Sequence, residues 1–203
     1  MKSYSVGIVD YGIGNHASVV HSLRDIGFRV VVTDKTTDLD AVDVLILPGV
    51  GAFPPAMASL HDRGLIDYLR KQAKSERPLI GICLGMQLLT EASYEYKHTV
   101  GLGLIPGDIQ PFPNHGNHIG WNTLEFLNME SRSSKSDGEA FYFNHSFLYR
   151  GPSEYKAAIT EHLIPFPSII KSGNVVGLQF HPEKSQFAGK TLLKNLIKDL
   201  VSA

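Results

Sequence analysis

Pro78-Leu79-Ile80-Gly81-Ile82-Cys83-Leu84-Gly85-Met86-Gln87 is an apolar run that ends in the single cysteine of the chain, with a glycine two residues to either side of it. A strand that passes through a tight turn into a helix raises one side chain at the carboxyl edge of a sheet, the layout of a nucleophile elbow. The glycines fit that geometry, because neighbouring Cβ atoms would collide where the nucleophile's backbone is forced into a strained conformation. The same turn sets sulfur at a helix N-terminus, where the dipole and free N–H groups favour negative charge. A lone intracellular cysteine is more often inert core filling. Glycines fill nothing, and their placement favours a reactive thiol.

Upstream of the elbow, short apolar runs alternate with helical spacing. Residues 6–9 read as a first strand, followed by the loop Asp10-Tyr11-Gly12-Ile13-Gly14-Asn15. Val19, Val20, Leu23 and Ile26 then recur at helical period until Gly27, a good stop signal. Residues 28–32 and 42–47 read as the second and third strands, the third closed by Pro48-Gly49-Val50-Gly51. A helical stretch is predicted over 54–74, with Gly64 as a candidate break. Strands separated by helices predict a mostly parallel sheet covered on both faces.

Downstream the pattern changes. Short strand-like runs at 102–105, 118–126, 140–149, 155–160, 168–171 and 175–180 are punctuated by Pro and Gly without a long helical pattern between them, which predicts antiparallel pairing. Residues 131–138 are small and polar and read as an exposed turn. Leu192, Leu193, Leu196, Ile197 and Leu200 form one face of a closing amphipathic helix. The expected fold is therefore α/β, with a mixed, mostly parallel central sheet, flanking helices and an additional antiparallel β region in the C-terminal half. One domain over 1–203 is expected at this length.

Composition narrows the function. With 43% hydrophobic and 19% charged residues and a formal net charge of −1, the chain lacks the charge excess of a nucleic-acid or membrane surface. One cysteine permits no intrachain disulfide. Residues 1–10 read as the approach to a first strand and not as a signal peptide, and no apolar run is long enough to span a bilayer. A soluble, cytoplasmic protein is expected.

A cysteine nucleophile needs a base, and nine histidines compete for that role. His181 stands out in Val175-Val176-Gly177-Leu178-Gln179-Phe180-His181-Pro182-Glu183, because it follows an apolar strand directly and proline ends that strand. Glu183 is placed to accept a hydrogen bond from the imidazole and steady its cationic form. The third part is an oxyanion site. Pro48-Gly49-Val50-Gly51 also follows a strand, and open α/β sheets bind ligands at that edge. Its glycines allow a peptide N–H to be aimed at developing charge, with a second N–H from Leu84. His115 and His118 lack a third ligand at suitable spacing, so no metal site is expected.

These three signals together resemble the class I glutamine amidotransferases of the Cys-His-Glu triad type. Five further stretches are similar to one branch of that family, the glutaminase subunits of imidazole glycerol phosphate synthase: Asp10 to Asn15, Leu47 to Phe53, Gly101 to Gly107, His118-Ile119-Gly120-Trp121-Asn122, and Phe180 to Gln186. The resemblance covers essentially the whole chain. It implies Cys83 as nucleophile, His181 as general base and acid, and Glu183 as the partner that orients it. Val50, Gly51 and Leu84 would form the oxyanion site, while Gly49, Gln87, His145 and Ser146 would meet the substrate, L-glutamine. No cofactor is implied. Asn15, His118, Trp121 and Asn122 would face the synthase (cyclase) subunit of (β/α)8-barrel type that consumes the ammonia in histidine biosynthesis. Two departures fall on that face. Asn114-His115-Gly116-Asn117 stands where many members carry a proline, and His16 follows Gly14-Asn15 where leucine is common. The biological alternative is the same glutaminase chemistry serving a synthase-like partner in amidination of a surface-polysaccharide sugar.

Overall fold

The structure, a computed structural model, describes residues 4–128 and 131–202. Its first half runs β1 (Ser5–Val9), α1 (His16–Asp25), β2 (Arg29–Thr33), α2 (Thr36–Asp40), β3 (Val44–Leu47), α3 (Phe53–Asp62), α4 (Leu65–Lys74), β4 (Leu79–Ile82) and α5 (Leu84–Leu88). Then come β5 (Thr90–Ser93), β6 (Thr99–Val100), β7 (Ile105–Pro111), β8 (His118–Thr123), β9 (Glu125–Phe126), β10 (Ala140–His145) and β11 (Phe147–Arg150). The chain closes with β12 (Lys156–Thr160), β13 (Phe166–Ser172), β14 (Val175–Leu178) and α6 (Gln186–Val201).

The main sheet has the order β2-β1-β3-β4-β14-β13-β12-β9. Its strands from β2 through β14 are parallel neighbours, and the remainder are antiparallel. The parallel strands carry apolar side chains on both faces because helices cover both. In β3, Val44 and Ile46 enter the core shared with α1 and α6, whereas Leu45 and Leu47 enter the core beneath α3 and α4. The leucines foreseen on the last helix, from Leu192 to Leu200, are all buried in the first of these cores. Two smaller sheets have the orders β10-β8 and β11-β7-β5-β6, and β10 is bridged through Tyr142 to His181, just beyond the carboxyl end of β14.

The mixed α/β architecture is the one the sequence predicts, with local corrections. Residues 175–180 do not behave as a purely antiparallel strand. β14 pairs antiparallel with β13 on one side and parallel with β4 on the other, in register Leu178↔Ile82. The helical stretch over 54–74 does break at Gly64, the candidate stop, which adopts φ 67° between α3 and α4. Residues 140–149 are two strands separated at Ser146, and 118–126 are likewise split into β8 and β9. The segment 131–138 is not an exposed turn: Ser133, Ser134 and Ser136 are buried. The Asp199 carboxylate of α6 accepts from the Ser133 N–H at 3.0 Å and from its hydroxyl at 3.2 Å, which draws the small residues onto the helix. Residues 1–3, read as the approach to β1, lie outside the described residues.

Backbone contact between two turns positions the site. A methyl group at Gly85 would collide with the Leu47 carbonyl, and one at Gly49 would meet Leu84 Cβ and the Gly85 amide at 2.8 and 2.9 Å. The elbow after β4 thus lies flush against the segment after β3. Gly85→Ala should destabilise the protein by about 1–3 kcal/mol, as overpacking between rigid main-chain segments does. Urea unfolding measures it, and a change under about 0.5 kcal/mol would contradict the close approach.

Candidate active site

Cys83 occupies the turn between β4 and α5 with φ 54° and ψ −110°, outside the regions that side chains with a Cβ favour. Its N–H donates to the Leu178 carbonyl at 2.7 Å, so the main chain of Cys83 is tied to the end of the adjacent parallel strand. His181 lies three residues beyond Leu178. Its N–H donates to the Tyr142 carbonyl at 2.8 Å, and its carbonyl accepts from the Ser185 hydroxyl at 2.6 Å. The same hydroxyl accepts from the Tyr142 N–H at 3.0 Å, which closes a clamp between β10 and the turn that carries the histidine.

The His181 ring donates through Nδ1 to Glu183 Oε1 at 2.8 Å, with both side chains nearly sealed from solvent at 3% and 2% exposure. Nε2 is left for the thiol. Burial disfavours the imidazolium, but hydrogen bonds to Cys83 and to Glu183 outweigh it and lift His181 to about 9. His145 is its opposite. Burial is the leading cause that pulls it down to about 3, and its Nδ1 lies 2.7 Å from the Phe147 carbonyl. It stays neutral and engaged with main chain. Two histidines in one site thus hold opposite protonation states, and only His181 suits proton exchange with sulfur.

Beside Cys83 opens a cavity of about 240 Å³. Val50, Gly51, Leu84 and Gln87 line one part of its wall, and Asn144, His145, Ser146 and Phe147 line another. Gln87 is buried and donates through Nε2 to Gln179 Oε1 at 3.3 Å. A larger groove of about 660 Å³, between α6 and strands β12 to β14, is lined by neither cysteine nor histidine. Among the described residues no group of His, Cys, Asp and Glu is placed to hold a metal ion. Likewise no helix there is long and apolar enough to cross a membrane.

The structure brings together Cys83, His181 and Glu183 with Val50, Gly51, Leu84, Gln87, His145 and Ser146. Gly49 does not line the cavity: it is buried behind it, between Leu84 and the Tyr11 hydroxyl. Of the residues expected on a partner face, Trp121 is 51% exposed and sits edge-on to Tyr142 at 6.0 Å between centroids. Asn15 is exposed and caps α1, its Oδ1 accepting from the Ser18 N–H at 3.4 Å. Asn122 reaches sideways to donate to the Glu161 carbonyl at 2.7 Å. His118 is a correction. Strand alternation turns it inward, where its ring is buried and stacks on His162 at 4.2 Å and on Phe143 at 4.4 Å. It supports this face from behind. The side chain of His115 lies outside the described residues.

Sequence reasoning missed Glu95. Its buried carboxylate lines the cavity and accepts from the Phe53 N–H at 2.6 Å, at the start of α3, while burial raises its pKa. It lies just beyond β5, a short strand without the flanking glycines that marked the elbow, so no local signal announced it.

The Glutamine amidotransferase class-I family profile matches residues 7–200. The chain is 41% identical over 191 residues to the imidazole glycerol phosphate synthase subunit HisH of Listeria monocytogenes serotype 4a, covering 92% of each chain. With the subunit of the same name from Bacillus cytotoxicus it shares 41% identity over 193 residues, 94% of this chain and 92% of that one. Among solved structures, PurLQS from Thermotoga maritima superposes with a TM-score of 0.78 at 20% identity over 97% of this chain and 99% of the other, a likeness of fold. A strained cysteine elbow, a buried His–Glu pair beside it and a family match over nearly all of the sequence make this chain a member of the class-I glutamine amidotransferases.

Proposed function

We infer that the protein hydrolyses L-glutamine to glutamate and ammonia through a thioester on Cys83, and delivers the ammonia to a synthase partner in histidine biosynthesis. The observation that carries the chemistry is the buried His181 imidazole, bonded to Glu183 at 2.8 Å, beside the strained Cys83 elbow that faces a polar cavity. The pathway rests on the relatives at about 41% identity over 92% of the chain, which are imidazole glycerol phosphate synthase subunits.

The Cys83 thiolate attacks the carboxamide carbon of glutamine, and the carbonyl oxygen becomes an oxyanion stabilised by N–H groups of the Val50 region and Leu84. The imidazolium of His181 gives its proton to the departing nitrogen, and ammonia leaves the thioester behind. Neutral His181 next takes a proton from water. The hydroxide so formed attacks the thioester carbon, the C–S bond breaks, and glutamate leaves with the thiolate–imidazolium pair restored. Gln87, Ser146 and the Glu95 carboxylate give the cavity the polar groups that a zwitterionic amino acid requires, with Glu95 suited to its α-ammonium group.

Ammonia is largely protonated at neutral pH, so release into water would waste the nucleophile. The partner that takes it directly is a cyclase of (β/α)8-barrel type, which would make imidazole glycerol phosphate and aminoimidazole carboxamide ribotide. Support for its docking beside the triad comes from exposed Ile119, Trp121 and Phe187. Trp121 pairs with Tyr142 across β8 and β10, and Tyr142 bonds to the main chain of His181.

Glutamine turnover should be feeble for the chain alone and rise greatly with the histidine-pathway synthase carrying its acceptor substrate. Cys83→Ala should abolish that turnover by several orders of magnitude while ammonia-dependent synthesis survives. Normal glutamine hydrolysis by Cys83→Ala would defeat the assignment, and activation only by a polysaccharide-pathway synthase would move the protein to that pathway. A further outcome concerns pH. Below about 9 His181 holds its proton and can serve the leaving ammonia; as pH rises through that value the proton is lost, and kcat/KM for glutamine should fall. Glu183 raises the His181 pKa, so in Glu183→Gln this alkaline limb should move to lower pH. An unmoved limb would leave Glu183 without its role.

A further inference from the structure

Tyr11 is fully buried, and its hydroxyl donates to the carbonyl of Pro48 at 2.7 Å. A buried tyrosine ordinarily finds some acceptor simply to satisfy its hydroxyl. Here the acceptor is the first residue of the segment Pro48-Gly49-Val50-Gly51, whose peptide groups border Cys83. The ring is fixed from its other end as well, because the Ser59 hydroxyl on α3 donates to the Tyr11 carbonyl.

The Pro48 carbonyl and the Gly49 N–H belong to one peptide plane. That plane is pinned on one side by the Tyr11 hydroxyl. On the other side Gly49 is packed so tightly on Leu84 and the Gly85 amide that even a methyl group has no room. The next plane, between Gly49 and Val50, carries the Val50 N–H. With the first plane held, rotation of the second is confined to the torsions at Gly49 and Val50, while Gly51 at φ 100° absorbs the change beyond. We propose that Tyr11 is a positioning residue for glutamine hydrolysis, its hydroxyl holding the Pro48–Gly49 peptide so that the Val50 N–H can be aimed at the oxyanion formed on Cys83. Burial, and then the charge of Cys83, raise the Tyr11 pKa, so the hydroxyl keeps the proton that makes this bond. The proposal rests on the reading of the cavity as a glutaminase site.

Tyr11→Phe keeps the buried ring and removes only the donor. In the complex with the synthase and its acceptor substrate, kcat for glutamine should fall about ten- to a hundredfold, the scale of a misaimed catalytic group. KM should stay within about twofold, because the cavity wall is untouched. Alkylation of Cys83 by iodoacetamide, which forms no oxyanion, should proceed at the wild-type rate and so report an intact elbow. An unchanged kcat overturns the proposal. So does a loss expressed in KM, or an equal loss of iodoacetamide reactivity, since either would mean general damage to the fold. Absence of glutamine turnover in the wild-type complex would instead overturn the functional reading itself, and this inference with it.

Discussion

The Cys83 N–H meets the Leu178 carbonyl at 2.7 Å, and this bond between the ends of two parallel strands sets Cys83 beside the turn that carries His181. β4 and β14 are far apart in sequence but share a register that places Ile82 opposite Leu178. Each strand then ends abruptly, one in the elbow and the other in Gln179-Phe180-His181-Pro182. A shift of one residue in that register would turn the side chains of one strand to the other face and separate sulfur from imidazole. The site is therefore a property of the central sheet, and loops only complete it.

Close main-chain packing does the second part of the work. Gly85 and Gly49 lack side chains where the elbow and the segment after β3 touch, and Gly81 lacks one where the elbow folds back on Gly85 and Met86, so residues following two strands border one cavity. The positive φ at Cys83 costs about 1–3 kcal/mol, offset by the packing of α5 against the core. Electrostatics then separates the histidines. Burial acts against charge on both His181 and His145, yet only His181 has a carboxylate on one nitrogen and a thiol at the other, and only it keeps its proton near neutrality.

The sequence made the centre of the site legible for a physical reason. Cys83 and His181 each follow an apolar run that a glycine or proline ends, and such punctuation is local. What depends on distant partners was not legible. β14 reads as a strand but carries no mark that one side will pair parallel with β4. Glu95 lies in Ser93-Tyr94-Glu95-Tyr96-Lys97, which reads as a solvated turn, whereas the partner of its buried carboxylate, the Phe53 N–H, lies more than forty residues earlier. The serines at 133–136 look exposed, yet Asp199, more than sixty residues on, accepts two hydrogen bonds from Ser133 and holds the segment on the last helix. His118 was placed on the outer face by its motif, whereas strand alternation turns its ring to the core.

The most direct test of covalent catalysis at Cys83 is to trap the intermediate. The complex with its synthase, turning over glutamine, is quenched in acid and digested, and the peptide carrying Cys83 is examined by mass spectrometry. The account predicts a glutamyl group on the Cys83 sulfur, removable by hydroxylamine and absent from Cys83→Ala. Steady turnover with a glutamyl group on another residue, or equal turnover by Cys83→Ala, would contradict it.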